Sequence, residues 1–232
     1  MFIRKKHKKS APQEDGFKAS RESSKRRFNE IVQPIFLNQS QIRNATLFSK
    51  REDAFQLIPK SPRILEIGVL AGDYSAKIID FLSGDIKRYL MVDLFNQPDW
   101  FNSDSPRFDW DGNLSFVKNR FEKHKFVDII QGDSRLILSG IQDEFDYIYI
   151  DADHSYEYVA WELEVSSNLC SESGIIGLND YIMQDYFTNE PYGVVQAVNE
   201  FLDKNHNWEV VGFSFNGGLF SDIYLSKLKS RA

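Results

Sequence analysis

The sequence has a single cysteine, Cys170, and no long apolar run. One cysteine cannot form an intramolecular disulfide, and alone it cannot build a cysteine-based metal site. This usage fits a reducing compartment. No stretch approaches the roughly 20 apolar residues of a membrane span, and the basic N-terminus lacks the apolar segment of a secretory signal. These absences predict a cytoplasmic protein with no membrane span.

Positive charge is scarce outside the N-terminus. The formal net charge of the 232 residues is −6, but residues 1–30 hold ten Lys and Arg against four Asp and Glu. The other 202 residues therefore carry 18 basic and 30 acidic side chains, a net charge of −12. An acidic body does not supply the clustered Lys and Arg that bind phosphates. We therefore expect no nucleic-acid substrate.

Residues 1–30 are polar and basic and contain few aliphatic side chains. Such a segment buries too little apolar surface to offset the entropy of ordering it. We predict a flexible N-terminal tail over residues 1–30, followed by a single domain over residues 31–232. Contact of the tail with an anionic membrane or RNA is the alternative to a solvated tail.

Beyond the tail, helix-like and strand-like patterns alternate. Helix patterns cover residues 40–59, 73–82, 114–124, 156–171 and 193–202. Strand patterns cover residues 63–69, 88–95, 126–131, 145–150 and 174–178, and residues 208–215 and 222–228 read as a closing antiparallel pair. Strands that alternate with helices form parallel sheets. The pattern predicts an α/β fold with a doubly wound, mainly parallel seven-stranded sheet, helices on both faces and a C-terminal antiparallel hairpin.

A glycine-containing turn joins the first of these strands to a helix. It reads E-x-G-x-x-x-G-x-x-S, from Glu66 through Gly68 and Gly72 to Ser75. Glycines let a ligand approach the backbone, and the helix start offers unpaired N–H groups. Glu66 ends the strand where α/β sheets bind ligands, so its charge suits a cationic group on a cofactor. A packing turn is the alternative, and the spacing does not match the G-x-G-x-x-G of nicotinamide dehydrogenases.

Polar residues also end the next two strands. Asp93 lies 27 residues after Glu66, near the offset of about 20 residues at which nucleotide-binding sheets place an acid on ribose hydroxyls. Asp133 and Ser134 follow a later strand, where a doubly wound fold meets the adenine of its cofactor. Capping of a turn or helix is the alternative for all three.

Oxygen-bearing side chains follow two further strands. Asp151 comes after residues 145–150, and Asn179 and Asp180 come after residues 174–178. Neighbouring parallel strands end at the same sheet edge, and such oxygens suit Mg²⁺, which lowers the pKa of a substrate hydroxyl. His154 is then the candidate general base, because an imidazole titrates near neutral pH. A turn-forming or capping role is the alternative for these residues.

Two motifs carry a family resemblance. The glycine-containing turn resembles the first motif of class I S-adenosylmethionine (SAM)-dependent methyltransferases, and the chain looks like this class from Arg63 to about Phe201. The segments D-A-D-H-S-Y at 151–156 and N-D-Y at 179–181 resemble metal-dependent O-methyltransferases of macrolide-type sugars. They are also similar to the cephalosporin-hydroxylase-like branch and, more distantly, to catechol-type enzymes. The resemblance implies a Rossmann-like methyltransferase fold.

The resemblance also implies roles for individual residues. Glu66 and Gly68 would contact the methionine part of SAM, and Asp93 its ribose. Asp151, Asn179 and Asp180 would bind magnesium, and His154 would be the base. We also predict cofactor contacts for Gly72, Ser75 and Asp151. Asn179 departs from the pattern, because that family carries an acid there and the site here loses one negative charge.

We therefore predict a SAM-dependent O-methyltransferase, assisted by Mg²⁺, that acts on a hydroxyl of a small molecule such as a sugar or natural product. Two aromatic segments, residues 96–113 and 182–192, are predicted to form a lid and an acceptor wall. The alternatives are a metal-independent methyltransferase of the same fold and a non-catalytic cofactor-binding or scaffold protein. The sequence is also compatible with a homo-oligomer.

Overall fold

The structure is a computed structural model that describes residues 33–95, 114–187, 189–218 and 220–228. All of the elements below belong to the compact unit Pro34–Ala232. The predicted tail at residues 1–30 and the predicted lid at residues 96–113 lie outside the described residues.

In the described residues the strands are β1 (Thr46–Phe48), β2 (Arg63–Ile67), β3 (Arg88–Asp93), β4 (Val127–Gln131), β5 (Phe145–Ile150), β6 (Cys170–Leu178), β7 (Trp208–Ser214) and β8 (Asp222–Lys227). They form one sheet in the order β1-β7-β8-β6-β5-β2-β3-β4. Only β8 pairs antiparallel with its neighbours, β6 and β7, among these strands. The predicted mainly parallel sheet with a C-terminal hairpin is confirmed, and it has eight strands instead of seven.

Strand β5 shows why the central strands read as continuous apolar runs. Its side chains alternate between the two faces, so that Ile148 and Ile150 join one buried cluster and Tyr147 and Tyr149 join the other. A parallel sheet covered by helices on both faces favours apolar side chains at most positions of its central strands.

The helices cover both faces of the sheet. The first face carries α1 (Asp73–Phe81), α2 (Leu114–Phe121) and a 3₁₀ helix, Arg51–Leu57; the second carries α3 (Ser134–Leu138), α4 (Tyr156–Leu169) and α5 (Val194–Lys204). In the described part of the chain, no helix has the length and apolar character needed to cross a membrane.

The predicted helix over residues 40–59 is wrong. This segment forms β1 and then the 3₁₀ helix Arg51–Leu57. Strand β1 pairs in parallel with β7, and Phe48 becomes buried beside it. Because β7 and β6 are both antiparallel to β8, β1 ends at the same edge of the sheet as β6. The correction therefore brings Arg51 to the carboxyl edge.

Candidate functional site

The turn after β2 packs against the chain that leaves β5. The backbone N–H of Gly68 donates to Val92 O at 2.9 Å, and that of Asp151 donates to Ile67 O at 2.7 Å. Gly68 has φ +87°, and a Cβ there would lie 2.0 Å from the carbonyl oxygen of Asp151. Glycine is thus required here by close packing between two backbones. A contact of Gly68 with the cofactor stays a prediction.

The second glycine of the turn is also tightly packed. Gly72 has φ +77° and precedes α1, and a Cβ there would lie 2.5 Å from the ring of Phe121 on α2. Arg120, also on α2, donates to Ala71 O at 2.7 Å. Helix α2 therefore packs against the turn at Ala71 and Gly72.

Glu66 and Ser75 contact each other inside the protein. Ser75 Oγ donates to Glu66 Oε2 at 2.6 Å, and Tyr89 Oη donates to the same oxygen at 2.5 Å. Glu66 is only 1% exposed, and burial raises its pKa to about 7. These two predicted cofactor residues thus fix the end of β2 to the start of α1, and Tyr89 is a partner that sequence reasoning missed.

Asp93 holds the glycine turn at the end of β3. Its Oδ2 accepts from the backbone N–H of Val69 at 2.6 Å and of Leu70 at 2.9 Å. Its Oδ1 accepts from the N–H of Phe95 at 2.5 Å. The turn-capping alternative therefore describes these contacts, and the ribose contact stays a prediction.

The two residues predicted to meet adenine begin α3. Asp133 caps this helix by accepting from the N–H of Arg135 at 2.8 Å. Ser134 Oγ donates to Glu162 Oε1 at 2.6 Å. Glu162 is fully buried, and this burial raises its pKa to about 7. The sequence signal for Glu162 was an acid on the apolar face of α4, next to the buried Leu163.

The four residues predicted to form the metal and base site do come together. Asn179 Nδ2 donates to Asp151 Oδ1 at 2.7 Å. His154 Nε2 lies 3.7 Å from Asp151 Oδ1 and 3.6 Å from Asp180 Oδ2. The ring of His154 stacks on Tyr192, with centroids 4.4 Å apart and planes inclined by 8°. Tyr192 was not predicted by itself, although it ends the proposed acceptor wall.

Burial sets the charges of this cluster. It lowers the pKa of His154 to about 4, raises that of Asp180 to about 7, and raises that of Asp151 well above its usual value. His154 is therefore a neutral imidazole near pH 7. Its Nε2 is buried and has no hydrogen-bond partner among the described residues, so its hydrogen-bonding capacity is unused there.

Arg51 is the functional candidate that sequence reasoning missed. Its Nη2 donates to Asn179 Oδ1, and also to Asp222 Oδ1 at 3.2 Å. Burial by itself would lower the pKa of Arg51, but the neighbouring Tyr149 and Asp222 raise it above its usual value. A permanent positive charge therefore lies at the carboxyl edge.

Asp222 is the buried carboxylate that pairs with Arg51. It is 0% exposed, and its Oδ2 accepts from Tyr149 Oη at 3.1 Å and from Tyr224 Oη at 3.2 Å. Asn216 Nδ2 donates to its Oδ1 at 3.2 Å. The available signal for Asp222 was an acid directly before the apolar run at residues 223–225 of β8.

Comparison with known proteins gives the family. A sequence profile described as a methyltransferase domain matches residues 65–181, half of the chain. The chain belongs to this methyltransferase family. The match runs from β2, with the glycine turn, to the residues after β6, so the resemblance to class I SAM-dependent methyltransferases is confirmed. No curated protein sequence matches this methyltransferase.

Solved structures show the same fold at low sequence identity. Cofactor-bound Rv0187 from MTB superposes with a TM-score of 0.55 at 14% identity, over 94% of this chain and 92% of that one. An O-methyltransferase from Bacillus cereus in complex with SAH gives 0.50 at 14%, over 93% and 92%. The ribosomal protein L11 methylase from Lactobacillus delbrueckii subsp. bulgaricus gives 0.50 at 13%, over 84% and 81%. At 13–14% identity these likenesses show the fold alone, and the fold does not identify the acceptor of this methyltransferase.

The predicted magnesium ligands do not fit a magnesium ion in this methyltransferase. Magnesium needs oxygen donors, but Asn179 Oδ1 accepts from Arg51 and its Nδ2 is turned to Asp151. The guanidinium beside these oxygens also repels a second cation. Over the residues that the structure describes, no group of three or more His, Cys, Asp or Glu is arranged to hold a metal ion.

Aromatic side chains border the same edge of the methyltransferase. Phe187 follows β6, and its ring stacks on that of Phe220 in the β7–β8 connection, with centroids 5.7 Å apart. Tyr186 is 72% exposed and Phe187 64%. Both segments leave the sheet beside Asp180, as the predicted acceptor wall requires, and their role in acceptor binding stays a prediction.

Proposed function

We propose that this methyltransferase transfers a methyl group from SAM to a hydroxyl of a small molecule, without a magnesium ion. One observation carries the proposal: the glycine turn of the methyltransferase motif packs directly on Asp151, whose carboxylate flanks His154. A donor bound at the turn and a base beside it are the two requirements for methylating a hydroxyl.

The turn and its supports suit the cofactor. Asp93 fixes the N–H groups of Val69 and Leu70, and Gly68 and Gly72 let the turn pack closely against Asp151 and Phe121. When bound, SAM supplies a methyl group on a positively charged sulfur, ready for transfer to an oxygen. The acidic residues around the turn favour that positive charge.

The acceptor end must remove a proton, because the methylated product no longer carries the hydroxyl hydrogen. His154 Nε2 is neutral and unpartnered in the described structure, so it is placed to take that proton. Asp151 and Asp180 lie within 3.7 Å of it and would stabilise the imidazolium that forms. Burial lowers the pKa of His154 to about 4, so the imidazole is a weak base before an acceptor binds.

The acceptor is expected to be a small molecule with a flat or ring-shaped body. Support comes from the exposed rings of Tyr186 and Phe187 and from the net-acidic composition of the domain, which does not favour nucleic acid. Aromatic rings stack on sugars and on aromatic acceptors alike, so both are included in the test.

The test begins with isothermal titration of the protein with SAM and with S-adenosylhomocysteine, in excess chelator. Micromolar binding of both is expected. Methyl transfer is then followed as S-adenosylhomocysteine release with a panel of phenols, catechols and glycosides. Binding without turnover on any member of a broad panel would favour the scaffold alternative, and absence of cofactor binding would refute the proposal.

A further inference from the structure

We infer that Arg51 is the resident cation of the acceptor site: it replaces the divalent ion that the sequence predicted, and its free N–H groups hold the acceptor oxygen. The inference rests on the proposed function, whose reaction it details. It assigns the acceptor-binding role to a residue outside the segment that matches the methyltransferase profile, residues 65–181.

The sheet itself delivers Arg51 to the site. Phe48 at the end of β1 is aligned with Ser214 at the end of β7, so the chain that follows β1 emerges at the carboxyl edge. The backbone N–H of Arg51 then donates to Asn216 Oδ1 at 2.6 Å. The position of the side chain is thus fixed by a strand pair and a backbone hydrogen bond.

The charge of Arg51 is required where it lies. Asp222 is fully buried, and a buried carboxylate is costly unless it is paired and hydrogen-bonded. Arg51 supplies the pairing, at 3.2 Å, and a guanidinium does not lose its proton in proteins. The site therefore contains a positive charge under all conditions in which the fold is intact.

Asn179 is explained by the same arrangement. Its Oδ1 accepts from the cation, Arg51, while its Nδ2 donates to the carboxylate of Asp151. An aspartate at this position could accept from Arg51 but could not donate to Asp151, and two carboxylates would then face each other. An amide is the side chain that links a cation to a carboxylate, so the departure from the predicted acid suits a guanidinium and not a metal.

Arg51 keeps donors for a ligand. Both of its side-chain hydrogen bonds use Nη2, so the N–H groups on Nε and Nη1 have no partner among the described residues. Its side chain is 25% exposed, and its guanidinium lies 5.8 Å from the ring centroid of Tyr74. These donors suit an oxygen that gains negative charge as it loses its proton, as electrostatic stabilisation of a reaction requires.

The first experiment titrates Mn²⁺ as a metal probe into wild-type protein and into the double variant Arg51→Met/Asn179→Asp, and follows binding by calorimetry and by the loss of the free-ion electron paramagnetic resonance signal. We expect no site-specific binding by the wild type and a new site in the double variant that disappears when Asp151→Asn is added. Wild-type binding of Mn²⁺ that Asp151→Asn abolishes would overturn the inference. This readout needs no turnover, so it stands apart from failure of the proposed function.

The second experiment measures turnover and S-adenosylhomocysteine affinity of Arg51→Met, with Arg43→Met as the matched control, because Arg43 is exposed on the same segment. We expect turnover to fall by about 100-fold in Arg51→Met, with cofactor affinity within about threefold, and Arg43→Met to match wild type. Retained turnover would refute the acceptor role, and an equal loss of cofactor affinity would reassign Arg51 to the cofactor. If Arg51→Met does not fold, Arg51→Met/Asp222→Asn removes both charges of the pair and serves in its place.

Discussion

Substitution of Gly68 by alanine tests the contact that joins the two halves of the proposed site. A Cβ on Gly68 would lie 2.0 Å from the carbonyl oxygen and 2.4 Å from the carbonyl carbon of Asp151. Both are backbone atoms, so no side-chain rotation relieves the clash. Either the turn or the chain after β5 must move, and the hydrogen bonds that Gly68 and Asp151 donate would be strained.

The expected cost has two parts. The left-handed backbone conformation costs a residue with a Cβ about 1–2 kcal/mol. Overpacking a backbone contact adds about 1–3 kcal/mol, so Gly68→Ala should lose about 2–5 kcal/mol of unfolding free energy. Gly84 provides the matched control: its φ is +76°, but nothing lies within 4 Å of its added Cβ. Gly84→Ala should therefore lose only the first part, about 1–2 kcal/mol.

Urea denaturation of both variants measures these losses, and calorimetric titration with S-adenosylhomocysteine measures the effect on the site. At about 2–4 °C per kcal/mol for a domain of this size, Gly68→Ala should melt several degrees below Gly84→Ala. It should also bind the cofactor product more weakly, whereas Gly84→Ala should bind it as wild type does. Equal stability of the two variants would refute the packing argument.

Three further predictions concern single side chains. Burial raises the pKa of Glu66 from 4.5 to about 7, so stabilisation present below pH 4.5 is lost as the pH rises through about 7. The unfolding free energy of the wild type should therefore fall by on the order of 3 kcal/mol from low to high pH because of this group. Glu66→Gln should lack this fall when urea denaturation is compared at pH 5 and pH 8. His154→Ala should lower turnover about 100-fold at saturating acceptor and leave cofactor affinity unchanged, and full turnover would exclude it as the base. Asp93→Ala removes the acceptor of three backbone N–H groups and should lower both stability, by about 2–4 kcal/mol, and cofactor affinity; wild-type affinity would exclude the ribose contact.

A guanidinium and a magnesium ion are different solutions to the same electrostatic need. A metal ion needs several oxygen donors with net negative charge and leaves when a chelator competes. Arg51 is covalently part of the chain and is paired with the fully buried Asp222. The site therefore keeps the positive charge of Arg51 when a chelator is added. An activity assay with and without chelator distinguishes this guanidinium site from a magnesium site.

Much of this fold follows from local sequence. Buried strands such as β5 are recognisable because nearly every position is apolar or aromatic, and the turn after β2 because its glycines stand between a strand pattern and a helix pattern. The rule that parallel strands end at one edge then predicted that Asp151, Asn179, Asp180 and His154 lie together. In the structure, His154 Nε2 lies within 3.7 Å of carboxylate oxygens of both Asp151 and Asp180. These features depend on residues close in sequence and on one general rule of topology.

Only the tertiary structure decided what surrounds those residues. Strand β1 has three residues, too few for a period-two pattern to outweigh a helix-like one, and it exists because β7 pairs with it from the far end of the chain. Arg51 follows β1, so its contact with Asn179 also depends on the pairing of β1 with β7 and could not be predicted from local sequence. The sequence alone determined which oxygen atoms lie together at the edge of the sheet. Only the tertiary structure determined that the guanidinium of Arg51 balances their charge. The reason is that Arg51 belongs to a segment whose conformation is set by its pairing with β7 and not by its own residues.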